Sequence, residues 1–319
     1  MRFYKFFISI FLIFTMCFYI TTPVFSEETT YVWSPNNNSL NDSTNDNSSQ
    51  VKETNSEVDE SNSLSLESGS AILIEQTTGQ VLYSHNAHEQ LRPASVTKVM
   101  SILLIMEALD SNKISLTDSV PCSENAASMG GSQIWLDPRE TLTVDEMLKA
   151  ICVVSANDVT VAMAEKIGGS EENFVKMMNK RAKELGATNT HFANPNGLHL
   201  SDHYSTAYDL YLIFKEVAKH NEFFNIAGRS SSRIEYLGSK GEQKIYDMAS
   251  TNQYIAGTYT LPSQVYMIGG KTGTTTQAGS CLILLTKNKD GEEFISVVLK
   301  GVTKSALYHT MTDILSKEN

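Results

Sequence analysis

The 319-residue chain is poor in cysteine, histidine, long apolar runs and clustered positive charge. Each shortage closes off a class of protein. Of four cysteines, Cys17 falls in an N-terminal apolar run. The odd three that remain, Cys122, Cys152 and Cys281, argue against a disulfide framework. Cys152 and Cys281 sit inside apolar stretches and read as small buried hydrophobes. Among seven histidines, His199 and His203 stand with Asp202 in a His-x-x-Asp-His spacing able to line up metal ligands. The surrounding loop residues read instead as solvated or capping side chains, so no metal or other cofactor is expected. Twenty-five basic residues face thirty-six acidic ones, and no basic stripe marks a nucleic-acid partner. The one long apolar run, residues 6–20, is short of the ~20 residues a membrane span needs. No regular repeat is present.

What is there divides the chain in three. Arg2 and Lys5 precede the apolar run, and small residues follow it near Ser26, the pattern of a secretory signal. Threonines and Val24 extend the run enough to leave an N-terminal membrane anchor as the other reading of residues 1–26. Either way the body is expected outside the cytoplasmic membrane, secreted or tethered at the cell wall. Residues 27–68 hold nine acidic residues and one lysine among many Asn and Ser. They read as a disordered tether, roughly 35–40 Å long on average as a flexible coil. The body, residues 69–319, keeps only a mild acidic excess.

Within the body, SAILIEQTTGQVLYSH reads as a hairpin turning at Thr77–Gln80. An apolar helix is expected from about Ser95 to Leu109. Thr143 and Glu146 form a capping-box signature for a second helix, which runs into Ser155-Ala156-Asn157-Asp158 before helical spacing resumes up to Gly168-Gly169. Ser170 opens another helix that Gly186 stops, and one more is expected over about 206–220. After residue 230, five β-rich runs are followed by a closing helix from about Lys304. One sheet assembled from both ends of the body, with a helical insertion between them, is the economical arrangement.

Three short motifs stand in order: Ser95-Val96-Thr97-Lys98, Ser155-Ala156-Asn157 and Lys271-Thr272-Gly273. Residues three apart on a helix share a face, so the Lys98 amine reaches the Ser95 hydroxyl. A hydroxyl becomes a nucleophile when something takes its proton, and lysine does so only when desolvation and a nearby cation lower its pKa. Lys271 is the candidate cation. Ser155 is placed to relay a proton to a leaving amine, and Asn157 to hold a substrate amide. The Lys271 strand is suited to pairing with an extended peptide. There Lys271 and Thr272 would take a terminal carboxylate, Gly273 would admit close approach, and the N–H groups of Ser95 and Thr274 would form an oxyanion hole. Alone, each motif is weak; together, in one exported domain, they are specific.

The set is the one used by β-lactamases and penicillin-binding proteins. With RPASVTKVM, MGGSQIWL, NPNGLHLSDHYSTAYDL and KTGTTTQAG, the chain resembles the serine D-alanyl-D-alanine carboxypeptidases, the low-molecular-mass penicillin-binding proteins, over nearly all of residues 70–317. The resemblance implies a mixed α+β, β-lactamase/transpeptidase-like fold, an antiparallel sheet flanked by helices with an all-helical inserted subdomain. It implies removal of the terminal D-alanine from peptidoglycan stem pentapeptides ending in D-Ala-D-Ala, through an acyl-enzyme on Ser95, with β-lactams as inhibitors. Two departures stand out. No β-rich domain or amphipathic helix follows the closing helix, and Lys304 lies where members often carry a carboxylate-binding arginine. An endopeptidase acting on cross-linked peptidoglycan shares every motif. A class A-like β-lactamase fits less well, because Ala156 replaces its aspartate and no Glu-x-x-Leu-Asn loop lies between Ser155 and Lys271. A wall-binding protein with a dead site would not need Ser95, Lys98 and Lys271 intact.

Overall fold

The computed structural model describes residues 67–318. The leader or anchor expected at 1–26, and the tether up to residue 66, lie outside them. Glu67 and Ser68, assigned to the tether, already pack on the body. The Glu67 carbonyl accepts from Val302 N–H at 3.1 Å, and Ser68 Oγ donates to Thr310 Oγ1 at 3.2 Å. Among the described residues no helix is long and apolar enough to cross a membrane.

The chain enters through a hairpin of β1 (Ser70–Glu75) and β2 (Val81–His85), then takes a 3₁₀ turn, Ala94–Thr97, into α1 (Lys98–Asp110). Short strands β3 (Ser119–Pro121) and β4 (Thr141–Thr143) bracket the one-turn α2 (Glu124–Ala127). Next come α3 (Val144–Val153), α4 (Asn157–Gly168), α5 (Glu171–Glu184), α6 (Ala207–Val217) and α7 (Asn221–Ala227). The strands β5 (Ser231–Leu237), β6 (Gln243–Ala249), β7 (Tyr266–Thr275), β8 (Gly279–Lys287) and β9 (Glu293–Gly301) precede α8 (Lys304–Leu315). Side-chain chemistry sets the helix starts. Thr143 and Glu146 form the expected capping box on α3, and Ser170, Thr206 and Thr303 accept from the N3 amides of α5, α6 and α8.

The main sheet is antiparallel, in the order β2-β1-β9-β8-β7. Strand alternation sends its two sets of side chains to different layers. Ala71, Leu282, Leu284 and Val298 meet Leu307, Tyr308 and Met311 of α8. Ile72, Ile283, Ile295 and Val297 face the helical body. Eleven of the thirteen residues of α1 are buried, so it is the central helix of that body rather than an amphipathic cover. Each buried Leu, Ile or Val contributes about 1.5–3 kcal/mol.

One expectation changes. The runs over 231–237 and 243–249 do not join the sheet but pair only with each other. Their alternation buries one face thinly, with Ile234, Tyr236 and Met248 inward. The hairpin is fastened to the body by Lys244, which pairs with the buried Glu140 carboxylate.

Candidate active site

The turn carrying Ser95 is held by close backbone packing. Ala94 adopts φ 48°, a left-handed conformation that costs a non-glycine residue. Two glycines from distant parts of the chain press on this turn. A Cβ on Gly197 would sit 1.9 Å from the Ala94 carbonyl oxygen, and one on Gly273 would sit 2.7 Å from Ser95 N and 2.8 Å from Val96 N. Gly273 therefore has a reason to be glycine other than the expected close approach of substrate: β7 lies directly against the nucleophile's own backbone.

From that turn Lys98 projects one position into α1, wholly buried. Its Nζ lies 2.9 Å from Ser95 Oγ, 2.6 Å from Asn157 Oδ1 and 2.7 Å from the Asn196 carbonyl oxygen. No carboxylate is among these partners. Burial, and next the positive charge of Lys271, push the Lys98 pKa well down, while the Asp158 carboxylate pulls the other way. A neutral amine has two N–H groups and one lone pair. Asn157 Oδ1 and the Asn196 carbonyl only accept, so they take both N–H groups, and the lone pair is left for the Ser95 hydroxyl proton.

Lys271, 1% exposed, is the second buried cation. Its Nζ donates to Ser155 Oγ at 2.8 Å and to the Thr272 carbonyl at 2.9 Å. Burial lowers its pKa to about 8. Ser155 sits in the break between α3 and α4 with φ 63°, a second strained non-glycine residue at the site. Asn157 does not present a free amide. Its Oδ1 is on Lys98 and its Nδ2 donates to the Gly130 carbonyl at 2.7 Å, so here it fixes the lysine rather than awaiting an amide.

Ser95, Ser155, Thr272, Gly273 and Thr274 line one cavity of about 200 Å³, together with Lys304 and others. All eight site residues expected from the sequence thus gather at one place: five on the cavity wall, and Lys98, Asn157 and Lys271 bonded behind it. Four contributors were not foreseen. Asn196 supplies its carbonyl to Lys98. Ser132 lines the cavity and accepts the Asn157 N–H at 2.7 Å. Thr251 holds Thr272 Oγ1 at 2.7 Å. Asp158, fully buried, accepts from Ile134 and Leu136 N–H at 3.1 Å each. Asn196, Ser132 and Asp158 lie in the stretches NPNGLHLSDHYSTAYDL, MGGSQIWL and Ser155-Ala156-Asn157-Asp158, but no local signal there marked their parts in the site.

The His199–His203 loop has another use. Nδ1 of buried His203 accepts from Ala193 N–H at 3.1 Å, so Nε2 carries the proton and donates to Thr97 Oγ1 at 2.7 Å. Burial drops its pKa to about 4, keeping it neutral. His203 thereby ties the 191–204 loop to the nucleophile turn. Among the described residues no group of His, Cys, Asp and Glu is arranged to hold a metal, and the three described cysteines are free and buried.

A family model described as D-alanyl-D-alanine carboxypeptidase matches residues 54–303. The chain is 47% identical over 252 residues to the D-alanyl-D-alanine carboxypeptidase DacF of Bacillus subtilis, which covers 79% of this chain and 62% of that protein. Its fold is similar to that of the D-alanyl-D-alanine carboxypeptidase DacD from Francisella tularensis, with a TM-score of 0.72, 26% identity, and coverage of 80% of this chain and 70% of the other. It is also similar to penicillin-binding protein D2 from Listeria monocytogenes, solved in its ampicillin-bound form, with a TM-score of 0.67, 25% identity and coverage of 80% and 99%. The chain spans less than two thirds of the length of the first curated relatives it matches. With its three motifs converging on one cavity and the family model spanning most of its length, the chain belongs to the D-alanyl-D-alanine carboxypeptidase family of peptidases.

Proposed function

We propose that the chain is a serine D-Ala-D-Ala carboxypeptidase that removes the terminal D-alanine from peptidoglycan stem pentapeptides and is acylated by penicillin. One observation carries this reading: a fully buried lysine with no carboxylate among its bonded partners, its Nζ 2.9 Å from a serine hydroxyl. A buried amine without an anion is costly for folding, and its depressed pKa is what a general base near neutral pH requires.

Lys98 takes the Ser95 proton as Oγ attacks the carbonyl of the penultimate D-alanine. Charge develops on that carbonyl oxygen beside the N–H groups of Ser95 and Thr274. Breaking the C–N bond frees the terminal D-alanine, whose nitrogen takes a proton through the Ser155 hydroxyl, held by Lys271. Water then hydrolyses the Ser95 ester. The substrate's terminal carboxylate is left for Thr272, Thr274 and Lys304, the exposed cation on the cavity wall. A β-lactam opens onto Ser95 in the same way, but its leaving nitrogen stays attached, so the adduct persists. A class A-like β-lactamase would need a carboxylate to activate the deacylating water, and none lines the cavity among the described residues. The basic, then apolar, start of the chain and the polar stretch up to residue 66 support export, the start acting as a cleaved signal or as a membrane anchor.

Intact mass against time after mixing the chain with benzylpenicillin tests the proposal. A long-lived adduct lost in Ser95→Ala, together with D-alanine release from a pentapeptide, is expected. An adduct that persists in Ser95→Ala ends the assignment, and rapid drug turnover moves it to a β-lactamase.

A further inference from the structure

Three residues along the chain from the cavity-lining Ser132 stands a tryptophan that the fold holds outward at a cost. Trp135 is 66% exposed and adopts φ 56°, a left-handed conformation rare for a bulky residue. The Asp158 carboxylate grips the backbone N–H on both sides of it, at Ile134 and Leu136, so the residue between turns away from the core. The indole itself is tethered. Nε1–H donates to the Gln133 amide oxygen at 3.1 Å, with the Gln133 nitrogen donating to the Met129 carbonyl at 2.6 Å. Its ring leans on Tyr246, 6.3 Å between centroids. Glycine would relieve the backbone and a polar side chain would suit the exposure. Strain of this kind, where it persists, is concentrated at functional sites.

The position is informative. The same loop lines the cavity at Ser132, and its Gly130 and Ser132 carbonyls hold Asn157. Three residues of chain reach at most about 11 Å, so the Trp135 backbone lies within that distance of the cavity-lining Ser132, in range of a peptide that extends out of the cavity. The cavity, about 200 Å³, is smaller than the ~300–1,000 Å³ pockets that enclose drug-sized ligands. It therefore takes only the small end of a stem peptide, and the upstream residues must run over the rim.

We infer that Trp135 is a specificity-determining residue whose indole face packs on the stem-peptide segment upstream of the terminal D-Ala-D-Ala. This rests on the carboxypeptidase reading. The aromatic face supplies broad apolar contact at little entropic cost, and its tethers leave it pre-organised. The terminal dipeptide, small enough to end inside the cavity, does not reach it.

The test compares Trp135→Ala and Trp135→Phe with wild type on three probes: a stem pentapeptide, N-acetyl-D-Ala-D-Ala and benzylpenicillin. Trp135→Ala is expected to lower kcat/KM for the pentapeptide about tenfold, chiefly through KM, while the dipeptide stays within about twofold and benzylpenicillin still acylates Ser95. Trp135→Phe should restore most of the loss. Equal losses on all three probes would mean a collapsed loop and overturn the inference, as would an unchanged pentapeptide. If wild type releases no D-alanine and is not acylated, the carboxypeptidase reading itself fails, and this inference with it.

Discussion

The two ends of β8 each bury charge without a counter-ion, and they differ in what surrounds it. At one end, beside Gly273 and Cys281, Lys98 and Lys271 are buried with hydroxyls and carbonyls as their bonded partners. At the other, Glu318 is 4% exposed, with Oε1 accepting from Thr286 Oγ1 at 2.6 Å and Oε2 unpartnered. Burial raises its carboxyl to about 7. Both ends carry a desolvation cost. Glu318 also lines a cavity, of about 630 Å³, with Glu75 and Lys317, but only the lysine end brings two buried amines within bonding range of serine hydroxyls on the cavity wall. A buried, shifted pKa is thus a weak sign of chemistry alone, and convergence makes it a strong one.

The comparison is broken most severely by Lys98→Ala, which should slow penicillin acylation by about 10³-fold or more, read by intact mass; a loss under about tenfold would remove Lys98 as base. Lys271→Gln should slow acylation by about 10²-fold and reshape the pH profile. In wild type, Lys271 carries its charge below about pH 8 and loses it above, so acylation should decline beyond that point. Without that charge Lys98 holds its proton to higher pH, so the acid limb should move up and the decline near pH 8 should vanish. An unmoved acid limb would show that the two amines do not sense each other.

Smaller effects probe packing and the far end. Gly273→Ala forces a Cβ into the Ser95 turn and should destabilise by about 1–3 kcal/mol, seen as a lower Tm together with slower acylation. Wild-type stability and rate would return substrate approach as the reason for glycine. For Glu318 the folded pKa is raised from 4.5, so its penalty is absent below that pH and complete above about 7. Glu318→Gln should therefore stabilise by about 3 kcal/mol at pH 8 and by nothing at pH 4, with acylation unchanged. A gain equal at both pH values would show that Glu318 is not ionised in the fold.

Local signals in the sequence carried far. The Thr143 capping box, the 77–80 hairpin turn and the three-residue offset of Ser95 and Lys98 are all decided by neighbours in the chain. The long-range facts were not legible. Asn196 acts through a backbone carbonyl, which every residue has. Gly197 and Gly273 meet the Ser95 turn across roughly a hundred or more residues of chain. The 231–249 strands have the same β-rich composition as those of the sheet, and only their thin burial separates them.

The glycine vice around residues 93–96 has a consequence for when the enzyme becomes armed. One jaw, Gly197, belongs to the loop before α6 and the other, Gly273, to the sheet's outer strand. Neither local folding of the turn nor collapse of the helical body alone shapes the nucleophile. On the proposed carboxypeptidase reading, a chain in which either jaw is still open is chemically silent, and labelling by penicillin would count fully assembled molecules. On refolding, labelling competence should appear together with the last phase of native near-UV circular dichroism, never ahead of it.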